Sequence, residues 1–483
     1  MRGGAILAGV LFGVAGALAA DLPTTPPLAV EATAIVPVDQ ESSLDVMGLS
    51  GQIVVSGRDE RELRVVSRAA GPEGKELPVA IWQDGARLIV GPAQGQGEAP
   101  RTLRIDVPRT FNVRVVASSS DVAIDGIDGA IDLGGKELRS TIQTSGAVAA
   151  DVAGGNLTVT SSHDLVLRTR GTSLTVTDNN GGVNVHASGG LVGLHNLTAA
   201  ADVEAEDAKV TIDGATALIH VKASRGSVTA KGLAGGELQL TGAPLMLQDG
   251  KGDITVTSDA TVEFQQMAAA LHFDLYGGNV RGKDNAGILE VRLRNSELNI
   301  EGIQDGLRVQ GDGIKAKIVD VGGETYVEAS VSDFNIDKPT TCDLHLDRGS
   351  LTVQRAQGAV KAVVVGADVH LTDGIGSVQL DLDGGEAEVS WTSLSADKDS
   401  QIVNKSGGVT LKFPSSAACR VEAKSKYGRV DSSIATVRVL NDDKEAQGPV
   451  NNGSRPVIHV VAQQDVHILD EGSAPAAEDD DKN

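Results

Sequence analysis

The sequence is poor in the residues from which most large protein cores are built. Aromatic residues make up 2% of its 483 residues, although hydrophobic residues as a whole reach 41%. Large globular cores normally rely on Phe, Tyr and Trp for much of their buried area. A core of this composition must consist of Val, Leu, Ile and Ala, and together with 58 glycines it suits a narrow, repetitive β structure.

Positive charge and long apolar runs are also scarce. The formal net charge of −23 disfavours nucleic acid and anionic lipid as partners. Beyond Ala20, no stretch is long and apolar enough to span a bilayer, so we expect no transmembrane segment.

The first twenty residues are the exception to this scarcity of apolar runs. Met1 to Ala20 contains one Arg, an apolar run and the small residues Ala17 and Ala19, which is typical of a secretory signal peptide cleaved after Ala19 or Ala20. We therefore expect an exported protein that lies in the periplasm, at the cell surface or in the medium. A retained N-terminal membrane anchor is the alternative.

The sequence is rich in pairs of aliphatic residues separated by a single residue. Such side chains lie on one face of an extended strand. Between Gly154 and Leu194 the pairs begin 8 or 9 residues apart: Leu157/Val159, Leu165/Leu167, Leu174/Val176, Val183/Val185 and Val192/Leu194. The residues between pairs are mostly Ser, Asp, Asn and Gly, which favour turns. The spacing continues from Val113 to Ala387, and an internal repeat of this length predicts an all-β fold, a parallel β-solenoid.

Each coil of this solenoid is expected to contain two short strands. Strands about nine residues apart then give a coil of roughly 18 residues, and three strands would give about 27. Two strands are favoured because pairs of medium-sized aliphatic side chains fill a thin space between two sheets without aromatic residues. A series of antiparallel sandwiches is the alternative fold, because strands alternating with turns also suit it.

The pattern divides the chain into six segments. We predict a signal peptide (1–20), a flexible Pro-containing lead-in (21–43), an N-terminal β segment and cap (44–112), the β-solenoid repeat (113–440), a C-terminal strand and cap (441–471) and a disordered acidic tail (472–483).

The two cysteines fall in phase with the core pairs. Cys342 precedes Leu344/Leu346 by two residues, and Cys419 precedes Val421/Ala423 in the same way. Both side chains should therefore point inward. Their separation of about four coils, roughly 20 Å, exceeds the Cα distance of about 7 Å that a disulfide permits. We predict two buried free thiols.

No catalytic, cofactor or metal site is predicted. The histidines, among them His186, His220, His345 and His370, are scattered over strand positions, without metal-ligand spacing, and are interpreted as exposed strand residues. The acidic corners Asp249 to Asp253 and Asp312-Gly313 lack the calcium-binding nonapeptide repeat, so solvated corners are the favoured interpretation. Asp125, Asp128 and Asp132 are typical of many carboxylates that stacking could bring together.

Four segments resemble a family described as "putative adhesin", of unknown function. They are Ser43 to Ala69 (SLDVMGLSGQIVVSGRDERELRVVSRA), Arg101 to Ala117 (RTLRIDVPRTFNVRVVA), Phe413 to Ser432 (FPSSAACRVEAKSKYGRVDS) and Ile458 to Ile468. The chain departs from the family at Arg58, where an aromatic residue is frequent, and in the added strands between Ala200 and Ser400. The resemblance implies a β-solenoid exported to the cell envelope.

Three functions are compatible with these features. The first is a non-enzymatic, exported surface or envelope protein that binds an unknown protein or carbohydrate ligand, in the manner of an adhesin. The second is a polysaccharide-active β-helix enzyme, for which the low aromatic content is unfavourable. The third is a periplasmic scaffold in an envelope-stress system. We expect the first, with no enzymatic activity and no cofactor.

Overall fold

All regular structure in the described part of the chain is β-strand. The computed structural model describes residues 22–23, 25–39, 42–71, 74–94, 100–394 and 398–471. Their strands stack in parallel as a β-solenoid of about 16 turns, which confirms the predicted fold class. Among these residues there is no helix with the length and apolarity needed to cross a membrane. The predicted signal peptide and acidic tail (1–20 and 472–483) lie outside the described residues.

The chain forms two compact units, Met1–Thr229 and Ala230–Asn483. The strands before the unit boundary are β1 Ala29–Glu31, β2 Thr33–Pro37, β3 Ser43–Leu49, β4 Gly51–Arg58, β5 Glu62–Ala69, β6 Val79–Asp84, β7 Arg87–Pro92, β8 Arg101–Pro108, β9 Asn112–Ser118, β10 Asp121–Ile127, β11 Ile131–Ser145, β12 Val148–Ser162, β13 Leu165–Thr177, β14 Val183–Leu197 and β15 Ala201–Ala215. The boundary falls within β16 Ile219–Leu233.

Within the first unit the coil is 17 or 18 residues long. In β13 and β14, Leu165 pairs with Val183 and Leu174 with Val192, in parallel and in register. Each of these elements therefore contains both aliphatic pairs of one turn. The prediction of two strands per coil is confirmed, and the antiparallel sandwich alternative is wrong for this region.

The N-terminal end of the first unit differs from the prediction. β1 pairs antiparallel with β6, and β2 pairs antiparallel with β5, so part of the predicted flexible lead-in is ordered as strands. β3 and β4 already belong to the parallel stack, where they pair with β9 and β10. Parallel stacking therefore begins well before Val113. The physical reason is that Leu44 and Val46 of β3 and the alternating buried side chains of β4 continue the core columns.

The second unit contains the remaining strands. They are β17 Gly236–Thr241, β18 Leu245–Gln248, β19 Ile254–Ser258, β20 Val262–Met267, β21 Leu271–Tyr276, β22 Val280–Asn285, β23 Ile288–Ile303, β24 Gly306–Gln354, β25 Val360–Gly374, β26 Val378–Asp383, β27 Ala387–Trp391, β28 Ser400–Asn404, β29 Val409–Phe413, β30 Cys419–Ser425, β31 Val430–Ser432, β32 Arg438–Leu440, β33 Glu445–Val450, β34 Val457–Ala462 and β35 Val466–Asp470.

At the C-terminal end of this unit, the order of strands in the sheet no longer follows their order in the chain. β34 lies between β28 and β30 and is parallel to both, while β33 adds to β30 in the antiparallel direction. Similarly, β35 lies between β29 and β31. The parallel stack therefore includes β34 and β35, which the sequence pattern assigned to a separate cap.

The corners between strands recur with the coil. In the first unit, Thr144, Ser161, Asp178 and Asn196 occupy successive equivalent corners with φ between 44° and 55°. Asn, Asp and Gly tolerate this left-handed conformation best, so the predicted turn composition follows from the corner geometry. Gly155 shows the second constraint: its φ is +80°, and a Cβ there would overlap the carbonyl oxygen of Leu138 one turn earlier.

The core is aliphatic except at a few places where aromatic rings fit. Phe264 in β20 is 3% exposed and packs against Phe273 of β21, with ring centroids 5.7 Å apart. Gly282 lies beside Phe264 in the next turn, and a Cβ at Gly282 would overlap that ring. The ring thus fills the inward space that an aliphatic side chain at position 282 would otherwise take.

This packing predicts that Gly282→Ala destabilises the protein by about 1–3 kcal/mol, because the added methyl group overpacks the core. Adding Phe264→Leu to the Gly282→Ala variant should restore most of the lost stability, since the shorter side chain leaves room for the methyl group. Urea denaturation measures both. Gly374→Ala is the control, because the nearest atom to a Cβ there would be the Ser390 carbonyl oxygen at 4.0 Å. If Gly282→Ala lowered stability by the same amount with Leu at position 264 as with Phe, this steric explanation would be contradicted.

Both cysteines lie in the core of the second unit, as their phase predicts. Cys342 is 4% exposed and Cys419 is 0% exposed, and both are free thiols. Burial raises the pKa of each thiol to about 12, because the thiolate would lose its hydration.

We therefore expect the native protein to resist a thiol-specific reagent at pH 8, where the buried groups stay protonated and inaccessible. Denatured protein should show two reactive thiols per chain, and the denatured Cys342→Ala variant should show one. Rapid reaction of the folded protein, or absence of thiols after denaturation without reductant, would show that this arrangement is wrong.

Candidate binding site on the outer face of the second unit

The predicted acidic candidates in the first unit do not converge. Asp125 faces Ser56 and Gln143 in the neighbouring turns, whereas Asp132 belongs to another strand and lies opposite Arg114. Burial raises the pKa of Asp132, and the Arg114 guanidinium, 3.3 Å away, opposes that rise. This arrangement does not place Asp125 and Asp132 as a catalytic carboxylate pair.

The histidines that the sequence singles out lie on the outer faces. His186, His220 and His370 are exposed, and His345 is half-buried. Several histidines approach carboxylates: His186 Nε2 is 3.1 Å from Glu204, and His370 Nδ1 is 3.2 Å from Glu388. Among the described residues, no group of three or more His, Cys, Asp or Glu side chains could hold a metal ion.

The acidic corners of the second unit have partners within the protein. Asp249 lies 3.8 Å from the Lys231 ammonium group, and Asp312 accepts a hydrogen bond of 2.6 Å from Ser330. Both contacts join positions 18 residues apart, which places them on neighbouring turns.

Pairing between successive turns is common along the outer faces of this unit. Arg355 Nε donates to Asp337 at 2.7 Å, the Lys361 ammonium group lies 3.0 Å from Asp343, and that of Lys405 lies 2.6 Å from Asp381. In-register stacking brings these side chains together, because outward residues one coil apart are neighbours on the sheet.

A shallow trough of about 330 Å³ lies on the outer face of this unit. Two rows of outward side chains form its sides, and the backbone of β18, β20 and β22 forms its floor. The first row runs across successive turns through Met246, Glu263, Arg281 and Asn299. The second row, two residues farther along each strand, contains Gln265, Lys283 and Glu301.

The floor depends on the core packing beneath it. Leu247, Phe264 and Gly282 are consecutive floor positions, paired in register. Their side chains point inward or are absent, so the floor is bare backbone between the two rows.

Most polar side chains of the trough lack partners within the protein. In the part of the chain that the structure describes, the side chains of Gln265, Lys283, Asn299 and Glu301 make no hydrogen bond or ion pair. Arg281 and Glu263 form a long ion pair of 4.0 Å. These groups are therefore available to a ligand without the loss of a strong internal contact.

The trough was not predicted from the sequence. The sequence contained one signal. At Val280 and Gly282, Gly stands where the second aliphatic residue of a core pair is expected, and this position follows Phe264 by one coil. Neither residue indicates by itself which outward side chains flank the floor.

Comparison with known proteins adds little to this description. No family model matches the chain, and no curated protein matches it. Among solved structures, it is similar to a "putative cell adhesion protein" from Clostridium sporogenes, at 8% identity and a TM-score of 0.13, over 91% of this chain and 100% of that one. This TM-score is too low to support a conclusion about fold or function, so the family resemblance stays a prediction.

One ion pair on this face predicts a dependence of stability on pH. A hydrogen bond from Lys412, together with His370, lowers the pKa of Glu388. A carboxyl group with a lowered pKa stabilises the fold above its unfolded pKa of about 4.3, and this contribution is lost as the pH falls through the folded pKa.

Glu388→Gln should therefore lower the free energy of unfolding at pH 7 by at most about 1 kcal/mol, since the pair is partly exposed and screened by solvent. The difference from the wild type should disappear near pH 3. Denaturant titrations at the two pH values measure it. Glu301→Gln is the matched control, because Glu301 has no partner within the described chain. A deficit that persists unchanged at low pH would rule out the ionic explanation.

Proposed function

We propose that this protein is exported and acts without catalysis, by binding an extended ligand on the outer face of its β-solenoid. It then serves as a surface adhesin or an envelope-associated binding protein. The observation that carries this proposal is the trough, where polar side chains without partners flank a strip of backbone.

The fold supports this role physically. A repeat protein stacks similar units so that equivalent outward residues form long columns, and such columns suit binding to elongated partners. The core occupies the inward positions, so outward side chains can vary with little effect on folding. The signal peptide predicted at Met1 to Ala20 supports export.

The alternative of a polysaccharide-active enzyme requires carboxyl groups about 5–10 Å apart around the cleaved bond. Glu263 and Glu301 both line the trough, and Glu263 already has Arg281 beside it. Release of reducing sugar from a polysaccharide incubated with the protein would favour this enzyme over a binding protein. A periplasmic scaffold is the third possibility, and cellular location separates it from a surface adhesin.

Export predicts a mature protein that begins directly after Ala19 or Ala20, which N-terminal sequencing of protein from its native cells measures. Protease treatment of intact cells should remove the full-length band if the protein is on the surface. Protection until the outer envelope is permeabilised would place it in the periplasm. An uncleaved chain that resists protease even after permeabilisation of the envelope would refute export.

A further inference from the structure

The dimensions of the trough restrict what can lie in it. Its two rows of side chains are two residues apart along the strand, about 6.6 Å. An α-helix with its side chains is about 10–12 Å wide, so a helix does not fit between the rows. The occupant must be a single extended chain that runs across the strands, from turn to turn.

The strands of the trough offer no free edge to a peptide. β20 pairs in parallel with β18 on one side and β22 on the other, and β22 pairs with β20 and β23. Their backbone N–H and C=O groups are thus used in the sheet, whereas a peptide that adds to a sheet depends on such groups. Recognition in the trough falls to the side chains alone.

These side chains suit hydroxyl groups. Gln265 and Asn299 each present an amide donor and acceptor, Glu301 presents acceptors, and Lys283 presents donors. A hydroxyl group both donates and accepts hydrogen bonds, so a polymer with hydroxyl groups on every repeating unit can bond to all four side chains. The exposed Met246, at 47%, gives an apolar surface at one end of the first row for the C–H face of a sugar ring.

The charges of the trough argue for a neutral ligand. Two cations, Arg281 and Lys283, oppose two anions, Glu263 and Glu301, so the lining has no net charge. The chain as a whole carries a net charge of −23, which opposes the approach of an anionic polymer.

We propose that the trough binds an unbranched, neutral glycan chain that lies across successive turns and is held by side-chain hydrogen bonds. This inference rests on the proposed binding function and specifies its ligand. The first row spans three intervals between turns, about 14 Å, so a few sugar rings occupy the site. Affinity should therefore rise with chain length and level off at a short oligosaccharide.

The test uses the mature protein and a panel of hexasaccharides: β-1,4-linked, α-1,4-linked and β-1,3-linked glucose, and β-1,4-linked mannose. Isothermal titration calorimetry measures binding, and polygalacturonate serves as the anionic comparison. We expect at least one neutral chain to bind, with at least tenfold weaker binding by Asn299→Ala and by Gln265→Ala.

Matched controls separate the trough from the rest of the surface. Asn335 and Gln354 lie outside the trough on β24, and Asn335→Ala and Gln354→Ala should leave affinity unchanged. Lys283→Gln is a further trough variant that keeps a polar side chain and should weaken binding less than Lys283→Ala. Thermal unfolding of each variant verifies that it is folded.

The outcomes distinguish the ligand from the function. Failure of every neutral chain to bind, equal losses in trough and control variants, or tighter binding of polygalacturonate would overturn the glycan proposal. The binding function itself would survive if a purified peptide or protein ligand lost affinity only in the trough variants. If neither glycan nor protein binding depended on the trough, both proposals would be wrong.

Discussion

The in-register stacking of successive turns is the constraint on which the rest of the structure depends. Neighbouring strands are about 4.8 Å apart, so each inward side chain rests directly on its counterpart one coil away. Burial of one aliphatic side chain contributes roughly 1.5–3 kcal/mol, whereas an exposed ion pair contributes about 0–1 kcal/mol. The columns of Val, Leu and Ile therefore stabilise the fold, and the ion pairs outside are secondary. Where a column changes, the neighbouring turn compensates, as Phe264 does beside Gly282.

The same stacking organises the outer surface. Because outward residues are also in register, a cation and an anion one coil apart come together, as Arg355 and Asp337 do. Part of the outer surface is thus satisfied by partners within the protein. In the trough, Gln265 and Asn299 present their amide groups without competing contacts in the described structure. A binding site of this kind needs no special loop, only a change in which side chains the repeat presents.

The interior of the repeat could be predicted from sequence, and its ends could not. Leu165 and Val183 show why the interior was accessible: the pattern of aliphatic pairs recurs with the coil and is local. At the C-terminal end, Ser400 pairs with Ile458, so a distant strand enters between β28 and β30. At the N-terminal end, Ala29 pairs antiparallel with Ile81 although a flexible segment was expected. Such pairings depend on backbone hydrogen bonds between distant segments, which local periodicity does not specify.

By itself, the sequence determined the strand period, the inward phase of each pair, the turn residues at the corners and the burial of Cys342 and Cys419. These properties follow from side-chain alternation along one strand. Only the tertiary structure decided which outward residues lie side by side. The step from Met246 to Glu263 is 17 residues, while the step from Glu263 to Arg281 is 18, and each corner adjusts to keep the inward residues in register. The trough results from these adjustments at successive corners, because its side chains are neighbours in space and not in the chain.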